Sequence, residues 1–199
     1  MKVNHNVFEL RNFCLPYYEK NDAGHDIRHA DRVAEEVGYI AALCNCDPNM
    51  TELALYAAYL HDTQVHVDRE SHHLLGYDFI MKNPDIPVLK EMSLVKRNMI
   101  GRAVLEHRAS RIEDFYTSDV SILLACADKG RPNYKESRRR CTAYNEEQGL
   151  KGFELGCAVT KHLREKYGTG GYAKYPELYH EIYSVQLREF QEKIDNWRS

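Results

Sequence analysis

The sequence predicts an all-α fold, a single-domain helical bundle of about seven to nine helices. Three observations predict it. Apolar residues recur at three- and four-residue spacing in segment after segment. No stretch shows the apolar/polar alternation of a half-buried strand. The 6 Pro and 11 Gly fall mostly between the periodic segments, and no repeat or low-complexity tract interrupts them.

The first helix is expected over Val3–Tyr18. The second spans His25–Leu43, with Ile27, Ala30, Val33, Ala34, Val37, Ile40 and Ala41 forming one buried face. Asp47-Pro48 breaks the chain, and Asn49 or Thr51 caps an Ala- and Leu-rich third helix over Thr51–Thr63. Ser71 caps a fourth, His72–Lys82, which Asn83-Pro84 ends. A long fifth helix is expected over Val88–His107, and a sixth, capped by Ser118, over Asp119–Asp128. Gly130 and Pro132 close the sixth. Three more follow at Asn133–Glu147, Gly152–Tyr167 and Pro176–Trp197. The glycine-rich stretch 168–175 is the most flexible by composition; it has no phosphate-loop pattern and reads as a lid on composition alone.

A chain of 199 residues suffices for one compact domain without disulfides or a structural metal. A metal site in it is therefore expected to serve function. The formal net charge of −3 gives no overall electrostatic reason to bind nucleic acid or an anionic membrane. No apolar run approaches the roughly 18 residues of a membrane helix, and the first residues carry no secretory pattern, so a cytoplasmic location is expected. The six cysteines are scattered, with one CxC pair (Cys44, Cys46) and no answering pair, which reads as reduced and mostly buried thiols. The basic run 131–140 reads as a solvated face, or as an entry funnel for an anionic nucleotide or a nucleic-acid contact. Tyr175, Tyr179 and Tyr183 repeat every four residues, as core packing or a homodimer surface would.

Histidines are numerous, and six of the 10 lie between His25 and His73. His29 stands in HADRV, one step off the apolar face of the second helix. His61-Asp62 closes the apolar run LALYAAYLHD, and Asp128 closes SILLACAD. A carboxylate at the end of a buried helix is costly to leave unpaired, and the helix dipole there disfavours it further. Two carboxylates with that problem suggest a shared cation. Two imidazoles with two carboxylates form a mixed N/O donor set suited to Mn, Fe, Co or Zn, and less comfortably to Mg.

The ordered set, His29 in HADRV, His61-Asp62 in YLHD and Asp128 in LLACADKG, resembles the HD-domain metal-dependent phosphohydrolase superfamily. His61 follows His29 by 32 residues and Asp128 follows Asp62 by 66. The resemblance covers about residues 25–135 as a metal-binding core, leaving 136–199 as a C-terminal helical extension. It implies an all-α bundle whose four ligands, His29, His61, Asp62 and Asp128, converge on one divalent metal. Members with a second metal use two further histidines between the His-Asp pair and the last Asp. Here His72, in HHLLG, and His107, in VLEHRAS, stand in those regions; otherwise they contact the substrate phosphate or close the pocket wall. The chain departs from common members after His-Asp, where Thr63-Gln64-Val65 replaces Ile-Gly-Lys or a following Glu.

The expected reaction is hydrolysis of a phosphoester or phosphoanhydride of a nucleotide or small phosphate ester, by water activated on the cation and oriented by Asp62. His66, four residues after Asp62, is a candidate acid for the leaving group, or an exposed loop residue. Lys129 and Arg131, beside Asp128, and Arg108, beside His107, are candidate phosphate contacts, or solvated cations at helix ends. Two readings compete. A di-iron oxygenase would require both His72 and His107 as ligands, and a non-catalytic nucleotide-sensing module would bind without turnover.

Overall fold

The computed structural model describes residues 5–108 and 116–196. Val3 and Trp197, the outer limits of the first and last expected helices, lie outside the described residues. Among those described there are nine α-helices, one short 3-10 turn and no strand. The all-α class and the helix number follow the pattern in the sequence.

The described residues form two compact units. The first carries the residues up to Asn21 together with His25–Gly130, and the second carries Asp22–Gly24 with the residues from Arg131 onward. Helices α1 (His5–Tyr18), α2 (Ile27–Leu43), α3 (Pro48–Leu60), α4 (His72–Lys82), α5 (Leu94–Glu106) and α6 (Asp119–Lys129) belong to the first. Helices α7 (Tyr134–Glu147), α8 (Gly152–Tyr167) and α9 (Glu177–Asp195) pack against one another in the second.

In the first unit α3 is central and touches α1, α2, α5 and α6. Seven of its last eight residues explain why: Leu53, Ala54, Tyr56, Ala57, Ala58, Tyr59 and Leu60 are buried. A helix that is apolar nearly all round has no face to offer water. The α6 run Leu123, Leu124, Ala125, Cys126 and Ala127 is equally buried. Each fully buried Leu or Ile contributes about 1.5–3 kcal/mol. That scale lets the core offset several kcal/mol of desolvation where charged groups are buried beside it.

Helix starts follow their caps. Asp26 is the N-cap of α2 and accepts from the His29 N–H, so the helix begins at Ile27 and not at His25. Asp47 caps α3 through the Asn49 and Met50 N–H groups, with Pro48 in the first turn. The Asp-Pro pair expected to break the chain before α3 therefore starts it, because proline lacks only an N–H that has no intrahelical partner there. The long helix expected over Val88–His107 divides into a 3-10 turn, Pro87–Leu89, and α5, which Ser93 caps through the Lys96 N–H. Helix α3 stops at Leu60, three residues earlier than expected, and α6 is ended by Gly130 at φ +63°.

The segment after α8 is tied back onto it: Tyr172 N–H donates to Glu165 O and Ala173 N–H to Lys166 O. Thr169 N–H adds a bond to Asp195 at the end of α9. Cys14, Cys126 and Cys141 are buried thiols, whereas Cys44 and Cys157 are exposed and Cys46 is half-buried. Cys44 and Cys46 flank Asn45, which lies just past α2 at positive φ. No helix among the described residues is long and apolar enough to cross a membrane.

Candidate metal centre

Five chain segments meet at the C-terminal end of α3. Helix α2 brings His29, the turn after α3 brings His61 and Asp62, the start of α4 brings His72, and the residue after α5 brings His107. The last turn of α6 adds Asp128. None of His29, His61, Asp62, His72 and His107 is more than 7% exposed. Asp128 is the open member, with 20% of its side chain exposed.

The distances divide these groups into two sets that share one carboxylate. His29 Nε2 lies 3.0 Å from Asp128 Oδ1 and 3.3 Å from His61 Nε2. Asp62 Oδ2 lies 3.1 Å from His61 Nε2 and 3.5 Å from His29 Nε2. The other oxygen, Asp62 Oδ1, lies 3.4 Å from His72 Nε2 and 3.7 Å from His107 Nε2. His72 and His107 present Nε2 to each other at 3.2 Å.

The backbone sets the tautomers. His61 Nδ1 meets Ala58 O at 2.8 Å, His72 Nδ1 meets Arg69 O at 2.7 Å and His107 Nδ1 meets Val104 O at 2.6 Å. A carbonyl oxygen only accepts, so each Nδ1 carries the proton. A neutral ring then keeps a lone pair on Nε2, aimed at the middle of the cluster. His72 and His107 would thus oppose two lone pairs across 3.2 Å. Either a proton or a cation must sit between such atoms.

The electrostatics lead to the same need. Burial works against the charged form of Asp62, but His61 and His107 outweigh it and hold the carboxyl well below the usual carboxylate range. Burial is likewise outweighed at Asp128, chiefly by His29. Burial disfavours charge on His61, yet Asp62 and Asp128 push its pKa up to about 9. His72 is pushed down to about 4, by burial first and by the His107 ring second. One buried and one half-buried carboxylate, held in the anionic form and ringed by imidazole Nε2 atoms, fit a divalent cation. The ligand atoms of His29, His61 and Asp128 all lie within 4.8 Å of one another, as do those of His61, Asp62 and His107.

The other histidines and cations near these ligands in the sequence make the following contacts. The His66 ring lies 6.4 Å from Tyr17, centroid to centroid, and the His66 backbone N–H donates to Asn21 Oδ1. The helical i, i+4 spacing that would set it over Asp62 fails because α3 has already ended at Leu60. The Arg108 guanidinium donates to Glu70 O, joining the end of α5 to the turn before α4. Lys129 Nζ donates to Ala125 O, one turn back on α6, at 3.0 Å. Arg131 is exposed and belongs to the second unit. His25 lies edge-on to His29 at 6.1 Å, and His73 edge-on to His72 at 5.7 Å. After the His-Asp pair, the Thr63 hydroxyl donates to Leu60 O and closes the turn.

One residue with no motif signal also reaches the centre. Asn21 Nδ2 donates to Asp62 O at 2.9 Å and to His25 O at 3.0 Å. Only its place after the first helix distinguishes it in the sequence.

No family model matches the chain, and no curated protein matches it. The crystal structure of a predicted HD superfamily hydrolase from an uncultured Thermotogales bacterium is similar. It is 20% identical, with 77% of this chain and 83% of that chain covered, at a TM-score of 0.53. At that identity the likeness shows the fold: the chain has the all-α fold of HD-domain proteins, as the sequence resemblance implied.

Proposed function

We propose that the chain is a metal-dependent phosphohydrolase that cleaves a phosphoester or phosphoanhydride bond of a nucleotide or another small phosphate ester. One observation carries the reading. Asp62 turns one oxygen to His29 and His61 and the other to His72 and His107, as a carboxylate shared by two cations would. The HD-domain fold, shared with a predicted hydrolase, supports it.

His29, His61, Asp62 and Asp128 would hold the first cation, and His72, His107 and the second oxygen of Asp62 the other. When bound, divalent cations supply Lewis acidity, making water nucleophilic near neutral pH and offsetting charge on phosphoryl oxygens. The protein's own contribution is positional. The three Nδ1–H bonds to backbone carbonyls lock His61, His72 and His107 in one orientation. Burial of five of the six side chains keeps bulk water away from them. Asp128, at the open edge, marks the side from which a phosphate enters. No serine or cysteine nucleophile is required.

The second histidine set also suits two irons and O₂ chemistry. Oxygen uptake by the iron-loaded protein separates that reading from hydrolysis. The main test is a screen of the purified protein, loaded in turn with Mn²⁺, Co²⁺, Fe²⁺, Zn²⁺ and Mg²⁺, against a panel of nucleotides. Release of phosphate, pyrophosphate or triphosphate is expected, and Asp62→Ala should abolish it. Absence of turnover with every metal, together with tight nucleotide binding, would replace the enzyme by a sensing module.

A further inference from the structure

We infer that Asn21 is a positioning residue for the centre: it sets the spacing between the two segments that carry His29 and the His61-Asp62 pair, and so tunes cation affinity. The inference rests on reading the cluster as a metal centre. Asn21 lies just beyond α1, where its N–H donates to Tyr18 O. That base is rigid. Leu10, Cys14 and Tyr18 of α1 are buried, and the Tyr18 hydroxyl donates to Tyr59 O on the helix that leads into the His-Asp pair.

From this base the carboxamide makes three bonds to backbone. Nδ2 donates to His25 O, four residues before His29, and to Asp62 O, the carbonyl of the shared ligand itself. Oδ1 accepts from His66 N–H at 2.9 Å. The partners fix the amide's orientation, because two carbonyls need the NH₂ end and an N–H needs the oxygen. One side chain thus ties the entry of α2 to both ends of the turn 62–66. These stretches lie outside the regular helices, so no helical ladder holds them in place.

The chemistry is specific to an amide. Aspartate has the same shape but no N–H, and it would set carboxylate oxygen against two carbonyl oxygens. Alanine leaves both carbonyls without this donor. Neither change touches a ligand atom, so the effect is expected on preorganisation of the centre.

The test uses the full chain, stripped by chelator and titrated with Co²⁺. Calorimetry gives affinity and the visible d–d bands report ligand geometry. Asn21→Asp and Asn21→Ala should stay helical by circular dichroism. Both should weaken Co²⁺ binding about 10–100-fold, the usual cost of losing a residue that orients a ligand, and alter the band shape. Asn145→Asp makes the same chemical change in the second unit, where Asn145 donates to Cys141 O, and should leave affinity and spectrum unchanged. Unchanged affinity and spectrum in either folded Asn21 variant overturns the inference. Loss of helicity in both variants overturns it too, by making Asn21 a purely structural residue. Failure of the unmodified protein to take up Co²⁺ removes the metal-centre reading instead.

Discussion

His29 Nε2 and Asp128 Oδ1 lie 3.0 Å apart although 99 positions separate them in the chain. The pair spans the first unit from α2 to the last turn of α6, and it closes the first half of the cluster at its only solvent-facing member among the described residues. Because Asp128 is partly exposed, Asp128→Asn should fold. It should lose the first cation, with a drop in affinity beyond the roughly 10–100-fold typical of a residue that merely supports a ligand. Metal content after gel filtration, set beside hydrolysis of the best nucleotide, checks this. Wild-type metal content in Asp128→Asn would take Asp128 out of the ligand set.

The split of Asp62 predicts a stoichiometry. The unmodified protein should bind two divalent cations per chain. His72→Ala and His107→Ala should each bind one, since both rings face Asp62 Oδ1 and not Oδ2. Inductively coupled plasma mass spectrometry on the three proteins decides it. A single ion in the unmodified chain would leave His72 and His107 as wall or phosphate contacts.

Metal should stabilise the fold. The ligands come from α2, α4, α6 and the turns after α3 and α5, so a cation bound there binds the folded chain and not the unfolded one. At a hundredfold excess over Kd the gain is about 2.7 kcal/mol. For a chain of this size that is roughly a 5–10 °C rise in Tm. Differential scanning fluorimetry with chelator, then with Mn²⁺ or Co²⁺ restored, measures it. Equal midpoints in both conditions would contradict binding at a site that joins so many elements.

Helices α4 and α5, which carry the second histidine pair, touch closely at Gly76. A Cβ placed there would lie 2.8 Å from Val104 Cγ1. Valine is stiff at χ1, so it yields little. Overpacking of this kind costs about 1–3 kcal/mol, against about 1 kcal/mol gained in helix propensity. Gly76→Ala should therefore destabilise by about 1 kcal/mol. In a Val104→Ala background the same change should stabilise, because the obstructing methyl is gone and the propensity gain remains. Urea unfolding of the four proteins gives the coupling energy. Independent effects at the two sites would show that the helices do not meet there.

The fold class was legible because it is written in local periodicity. Three- and four-residue spacing, with caps such as Ser118 and breaks such as Asn83-Pro84, outlines most helices without any long-range knowledge. It misleads where a local pattern runs across a boundary. Val88 and Leu89 continue the apolar spacing of α5, but Ser93 starts the helix and the preceding residues make a separate 3-10 turn. Asp47-Pro48 misleads in the opposite sense, since one dipeptide can end a helix or begin one.

At the centre, residue types and their places at helix ends pointed to His29, His61, Asp62 and Asp128, because imidazoles and carboxylates closing apolar helices are chemically conspicuous, and the resemblance to HD-domain proteins added His72 and His107. His66, four residues after Asp62, sets its ring beside Tyr17, while Arg108 and Lys129, next to His107 and Asp128, donate to Glu70 O and Ala125 O, contacts that no local pattern announces. The division of Asp62 between two sets of rings, and the grip of Asn21 on the turn below it, belong to the tertiary structure alone. Both depend on which atoms of distant segments come within about 3 Å, the reach of a hydrogen bond, and no one-dimensional pattern encodes that distance.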